Sequence, residues 1–131
     1  MITDPMEALE QRVHDAIATV QPNVTTYYPP QIFANGQRIE LPLTVYTVEI
    51  STSAVRARHE TRVRCTVNVD TFGRSRAETG AAAALIRTAM LEVMATCDMD
   101  RYYDMPQAGI IRRSQRYSGV MDLCTGTVYA N

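Results

Sequence analysis

The chain has 131 residues and a formal net charge of -1. That length suits one domain of the usual ~100–150 residues, and 46% apolar residues are enough for a packed core. The near-neutral balance gives no general attraction to nucleic acid or an anionic membrane, and no apolar run approaches the ~20 residues of a membrane span.

Asp4-Pro5-Met6-Glu7 reads as a helix start. Asp4 can cap, Pro5 suits the first helical position and Glu7 stands where a capping box wants a carboxylate. Met6, Leu9, Val13, Ala16, Ile17 and Val20 then follow helical spacing and form one apolar stripe. Pro22 stops the helix. His14 lies off the stripe, one turn after Glu10, and reads as part of a solvated ion pair rather than a ligand.

"NVTTYYPPQIFANGQRIELP" is a broken stretch. Val24 to Tyr28 fits a short strand. Asn35-Gly36 is a good two-residue turn for a hairpin of Ile32–Ala34 with Gln37–Ile39, with a projecting loop as the alternative. "LTVYTVEIS" is a strand of β-branched and aromatic residues. In "TRVRCTVNVD", Val63, Cys65, Val67 and Val69 alternate with Arg62, Arg64, Thr66 and Asn68. Period two is the mark of a sheet with one buried face. Ser53 to Glu60, with Arg56, Arg58 and His59, is the polar link between these strands.

Ser75-Arg76-Ala77-Glu78 is a capping box that opens a long helix. Ala82, Ile86, Ala89, Val93 and Cys97 share its expected inner face. Leu91 and Met94 fall near Arg87 on the other side, and such a pair hints at a partner surface. "DMDRYYDMPQ", from Asp98 to Gln107, reads as a polar, aromatic loop. "AGIIRRSQRY" and "GVMDLCTGTVY" are two strand-like runs, with Arg112 and Arg116 on one side and Arg113 and Tyr117 on the other. Tyr117-Ser118-Gly119 is either a turn between them or a bulge in one long strand, and Thr125-Gly126 is a second possible turn. The order predicts an α+β domain over residues 1–131. A mainly antiparallel sheet carries an N-terminal helix and one long helix, and a C-terminal hairpin closes it.

Few residues here carry chemistry. There is no phosphate loop, zincin pair or nucleophile elbow, and catalytic, metal-ligating and cofactor-binding residues are all expected to be none. Asp98, Asp100 and Asp104 cluster around Arg101, and a solvated loop is the bland reading against an acid–base pair or hard-cation site. Cys65, Cys97 and Cys124 lack zinc spacing and are expected to be buried free thiols. No signal-peptide pattern opens the chain, and the Asn23-Val24-Thr25 sequon reads as chance. All 13 basic residues are arginine. Genome composition is the bland explanation; the functional one is that arginine's planar fork suits interfaces. The excess at Arg56, Arg58, Arg62, Arg64, Arg74 and Arg76 lacks the interleaved aromatics of a single-strand binder, so a solvated or subunit-contacting sheet face is the expectation.

"LPLTVYTVEI", followed after a polar loop by "RVRCTVNVDTFGRSRAETGAAAALI" and closed by "IIRRSQRYSGVMDLCTGTVY", resembles the tail terminator (tail completion) proteins of long-tailed bacteriophages. The resemblance runs from Met6 to Tyr129 and rests on element order rather than a signature motif. It implies a non-enzymatic virion protein at the head-proximal end of the tail, present in the host cytoplasm during assembly. Its partners would be its own copies in a ring, most simply a hexamer, the major tail tube protein and a neck or head-completion protein. DNA would only pass through the lumen. Candidate contact residues are Arg62, Arg64, Leu91, Met94, Arg112, Arg113, Arg116 and Tyr117. Another head–tail joining protein is the near alternative. A small α+β enzyme or a nucleic-acid-binding module is the alternative from a different class.

Overall fold

The computed structural model describes residues 4–26, 40–51, 62–105 and 109–130. Its elements are α1 (Pro5–Val20), β1 (Val24–Thr25), β2 (Leu43–Ser51), β3 (Arg62–Gly73), α2 (Arg76–Met90), β4 (Thr96–Met105), β5 (Ile110–Asp122) and β6 (Val128–Tyr129). The Asn35-Gly36 hairpin and the Ser53–Glu60 link lie outside the described residues.

Both helices begin as their caps dictate. The Asp4 carboxylate accepts from the Glu7 amide at 3.2 Å, and the Ser75 hydroxyl accepts from the Glu78 amide at 3.1 Å. Each satisfies a donor that the first helical turn leaves open. The Glu78 carboxylate reaches back to the Arg74 amide at 2.9 Å, one residue beyond the usual capping-box partner.

The sheet order is β1-β2-β3-β5-β4, with β6 also paired to β5. Only the β1–β2 pair is parallel. The fold is therefore α+β with a mainly antiparallel sheet, as the element order predicts. β5 runs without interruption from Ile110 to Asp122, in one register on β3 from Gly73↔Ile111 to Arg62↔Asp122. Tyr117-Ser118-Gly119 is thus neither turn nor bulge. The closing turn lies at Leu123–Thr125, followed by Gly126 at φ 78, a conformation that glycine adopts without strain. The C-terminal hairpin is lopsided, pairing a long β5 with the two residues of β6.

The expected loop at Asp98–Gln107 is largely strand. β4 pairs with β5 from Thr96↔Ser118 to Met105↔Ile110, with a register shift between Cys97 and Met99. Asp has a low β propensity. Side-chain pairing across the sheet overrides that preference here.

Alternation decides the two faces of the sheet. Val63, Cys65, Val67 and Val69 of β3 stand beside Met121, Gly119, Tyr117 and Gln115 of β5. With Leu9, Val13 and Ile17 of α1 and Ile86 and Met90 of α2, most of these form the main core. Both helices lie on this one face. α2 buries Thr79, Ala83, Ile86 and Met90, so within the helix its inner face is rotated from the expected Ala82–Ile86–Ala89 line and shares only Ile86 with it, while Val93 and Cys97, beyond the helix end, pack partly buried against the core as expected. The helix stops at Met90, and Met94 folds back so that its amide donates to the Met90 carbonyl at 2.7 Å. Met94 is 2% exposed and belongs to the core, which corrects its expected place on a partner surface. A smaller cluster of Leu43, Val45, Phe72 and Ile110 is also buried, on the opposite sheet face by register.

Candidate functional site

The face of the sheet turned away from α1 and α2 gathers half of the predicted contact residues. On β3 it carries Arg62 and Arg64, and on β5 Arg112 and Arg116. Arg62 stands beside Asp122, Arg64 beside Val120, Asn68 beside Arg116 and Phe72 beside Arg112. β4 adds Met99 beside Arg116, Arg101 beside Ser114 and Tyr103 beside Arg112. Arg62, Arg64, Arg101 and Arg116 are exposed. Among the described residues, no ion pair engages Arg62, Arg64 or Arg116. Their guanidinium groups can meet a planar carboxylate or phosphate with paired N–H donors.

Arg112 differs from them. Its Nη2 lies 3.1 Å from the Asp70 carboxylate, its Nε donates to Ser114 Oγ at 3.0 Å, and Ser114 Oγ in turn donates to Asp70. Asp70 is 4% exposed, so Arg112 compensates a buried carboxylate. It stiffens the arginine-bearing face more than it offers a free donor. Tyr103 lies under two cations, with the guanidinium carbons of Arg101 and Arg112 at 4.7 Å and 5.3 Å from its ring centre. This aromatic on the arginine-bearing face was not foreseen, because reading the Asp98–Gln107 stretch as a loop hid its facing.

Arg113 points to the helix side, opposite Arg112 and Arg116 as the strand alternation predicts. It makes a paired contact with Asp100, Nε to Oδ1 at 2.6 Å and Nη2 to Oδ2 at 2.9 Å. Arg87 of α2 reaches the same carboxylate at 2.9 Å, and Gln115 Nε2 donates to it at 3.2 Å while also donating to the Ala83 carbonyl. Burial pushes the Asp100 pKa up, but the bonds from Arg113, Gln115 and Arg87 outweigh it and hold the carboxyl below its ordinary value. Asp100 in turn holds the Arg113 guanidinium in its charged form. Tyr102 extends the network, accepting from Arg113 at 3.3 Å and donating to the Arg76 carbonyl at 3.4 Å. A Cβ at Gly80 would fall 2.5 Å from the Tyr102 hydroxyl, so glycine there lets this tyrosine lie against α2. The cluster ties α2 to β4 and β5.

Tyr117 is fully buried in the core, where burial raises its pKa and its hydroxyl has no hydrogen-bond partner among the described residues. It is a core residue, not a contact residue. Leu91 is exposed as expected, at 44%, at the end of α2, and is parted from Met94 by the turn into the core. The cysteines do not share one setting: Cys65 is buried, Cys97 partly buried and Cys124 exposed, all as free thiols. His14 Nδ1 lies 3.4 Å from the Tyr46 hydroxyl, so its neighbour is a β2 tyrosine rather than Glu10.

Asp98 and Asp100 of β4 do not converge. Asp100 faces the helices, while Asp98 sits at the register shift and accepts from the Thr96 hydroxyl at 3.0 Å. Among the described residues no group of His, Cys, Asp and Glu could hold a metal ion, and no helix is long and apolar enough to cross a membrane. No protein-family model matches the chain, and comparison with curated proteins finds no match.

Proposed function

We propose that this chain is a structural assembly subunit, a ring-forming cap on the head-proximal end of a phage tail tube. In that role it stops tube polymerisation and presents a surface to the neck. The observation that carries the reading is the division of the sheet into two faces. One is sealed by both helices; the other presents Arg62, Arg64 and Arg116, exposed and without an ion pair among the described residues, on a strand framework held by the Arg112–Asp70–Ser114 bonds. A closed ring requires two different surfaces on each subunit, and the helix layer and the arginine face supply them.

Nucleic-acid binding is the reading that the same arginines invite, and Tyr103 on their face gives it one further support. Single-strand binding, however, requires aromatic faces open for base stacking. Tyr103 is flanked by Arg101 and Arg112, and the assembly reading uses the face without that requirement. The Asp100 carboxylate, engaged by Arg87, Arg113 and Gln115, is poorly suited to general-acid work, which weighs against the enzyme reading.

The test adds purified chain to polymerising major tail tube protein from the same phage and follows tube length by electron microscopy, with native mass measurement of isolated tube ends. Capped tubes of limited length, carrying a ring of copies, are expected. Unchanged elongation with no chain at the tube ends would overturn the proposal.

A further inference from the structure

The helix layer carries an apolar groove, and the opposite face carries an exposed aromatic. The groove runs between α1 and α2 and encloses about 320 Å³. Ala16 and Val20 of α1 and Leu85, Ala89 and Val93 line it, with Glu92 at its rim. Leu85 is 55% exposed. An exposed apolar concavity of this kind marks an interaction site. On the other side of the molecule, Tyr129 of β6 is 50% exposed. It pairs with Val120, so it emerges on the arginine face, while Val128 pairs with Met121 and packs on the core. Gly119 permits this close return, since a Cβ there would collide with Val128.

We propose that the groove between α1 and α2 is filled by Tyr129 of a second copy of this chain, so that subunits join front to back. Charge complementarity selects that occupant. Arg64, Val120 and Tyr129 lie in one transverse row, which places Arg64 about 10 Å from Tyr129 at the usual strand spacing. An arginine is therefore positioned to follow the tyrosine and meet Glu92 at the rim. Around the groove the exposed charges are those of Asp15 and Glu92, with Arg87 already paired to Asp100, against Arg62, Arg64, Arg101 and Arg116, with Glu49 among them, on the facing side. Tyrosine and arginine are the side chains that most often anchor such contacts. Because the two patches differ and lie on opposite sides, the contact is heterologous and generates a ring or a filament rather than a two-fold dimer. The inference rests on the assembly reading above and names the surfaces that it requires.

The test uses Tyr129→Ala and Leu85→Arg in the full chain, at positions about half exposed, with unfolding midpoints measured first to verify the fold. Sedimentation up to about 1 mM protein, a range that detects even weak association, should show the unaltered chain assembling. Each variant alone should lose association at least tenfold. Mixed together, the two variants should form a one-to-one dimer and stop there, because Tyr129→Ala keeps an intact groove and Leu85→Arg keeps an intact tyrosine. Assembly of Tyr129→Ala like the unaltered chain would overturn the contact, as would an unaltered chain that stays monomeric throughout. Loss on Leu85→Arg alone would point to a different occupant and also sink it. If Tyr129→Ala still caps tail tubes, the contact fails and the tail-cap reading survives. If the mixed dimer forms but the unaltered chain caps no tubes, the contact stands and the tail-cap reading fails.

Discussion

Arg113 on β5 donates two hydrogen bonds to Asp100 on β4, at 2.6 Å and 2.9 Å. The pair sits beneath α2, with the Asp100 side chain 10% exposed and that of Arg113 20%. Arg87 and Gln115 complete the shell around the carboxylate. Removing Arg113 leaves a largely buried carboxylate with fewer donors. Arg113→Ala should therefore cost about 2–4 kcal/mol in urea unfolding. A loss below ~0.5 kcal/mol would place this pair among ordinary surface ion pairs.

The same pair gives the chain an acid-sensitive joint. Asp100 has a folded-state pKa below its ordinary value, so its contribution is fully present above the unfolded carboxylate pKa of about 3.9 and declines as pH falls through the lower folded value. The unaltered chain should lose stability between pH 5 and pH 2 more steeply than Asp100→Asn, which has no proton to take up at that position. Urea midpoints for both proteins across that range check this, and parallel curves would count against it.

Much of the fold is legible in the sequence because its signals are local. Asp4 and Ser75 cap the helices they precede, and the alternation of Arg62 to Val69 lies on one open and one covered sheet face. β4 was hidden because its partners come from elsewhere in the chain. Asp100 is tolerable in a strand only once Arg87 and Arg113 are beside it, and no local pattern reports that. The candidate site was legible by parity alone. Arg112 and Arg116 do fall opposite Arg113 and Tyr117, but which set meets the helices depends on the pairing of β5 with β3. Met94 was misplaced because α2 ends at Met90, and a helical wheel extended past that point gives the wrong direction.

The core assignment separates Met94 from Leu91. Ile86 and Met94 are nearly inaccessible, whereas Leu91 is 44% exposed. Ile86→Ala and Met94→Ala should each cost about 2–5 kcal/mol, and Leu91→Ala should stay within ~0.5 kcal/mol of the unaltered chain. Denaturant unfolding of the three variants reads this directly. A Leu91 effect as large as that of Met94 would mean that the end of α2 is packed differently.

Among the described residues, the buried Tyr117 hydroxyl has no hydrogen-bond partner. A buried polar group in that state costs free energy that its removal restores. Tyr117→Phe keeps the ring and its packing, so stability should be unchanged or rise by up to about 1 kcal/mol. A loss of about 1 kcal/mol would show that the hydroxyl has a hydrogen-bond partner in solution.

The arginine face calls for a choice of which side chains to remove. Arg112 is tied to Asp70 and Ser114, so Arg112→Ala should cost about 1–3 kcal/mol of stability through the weakened support of Asp70. A defect in assembly from that variant would mix folding with contact. Arg64 and Arg116 are exposed on the same face and free of ion pairs among the described residues. Replacing both with alanine should shift the unfolding free energy by less than ~0.5 kcal/mol. Under the assembly proposal the doubly substituted chain is folded but fails to cap tubes, so tails overgrow or do not join heads. Under the nucleic-acid reading it would instead bind DNA or RNA more weakly, with a salt slope smaller by roughly 0.7–0.9 for each phosphate that an arginine no longer neutralises. Tail length by electron microscopy and binding measured across salt concentrations separate the two. Tails of normal length on infectious particles would remove this face from the assembly role.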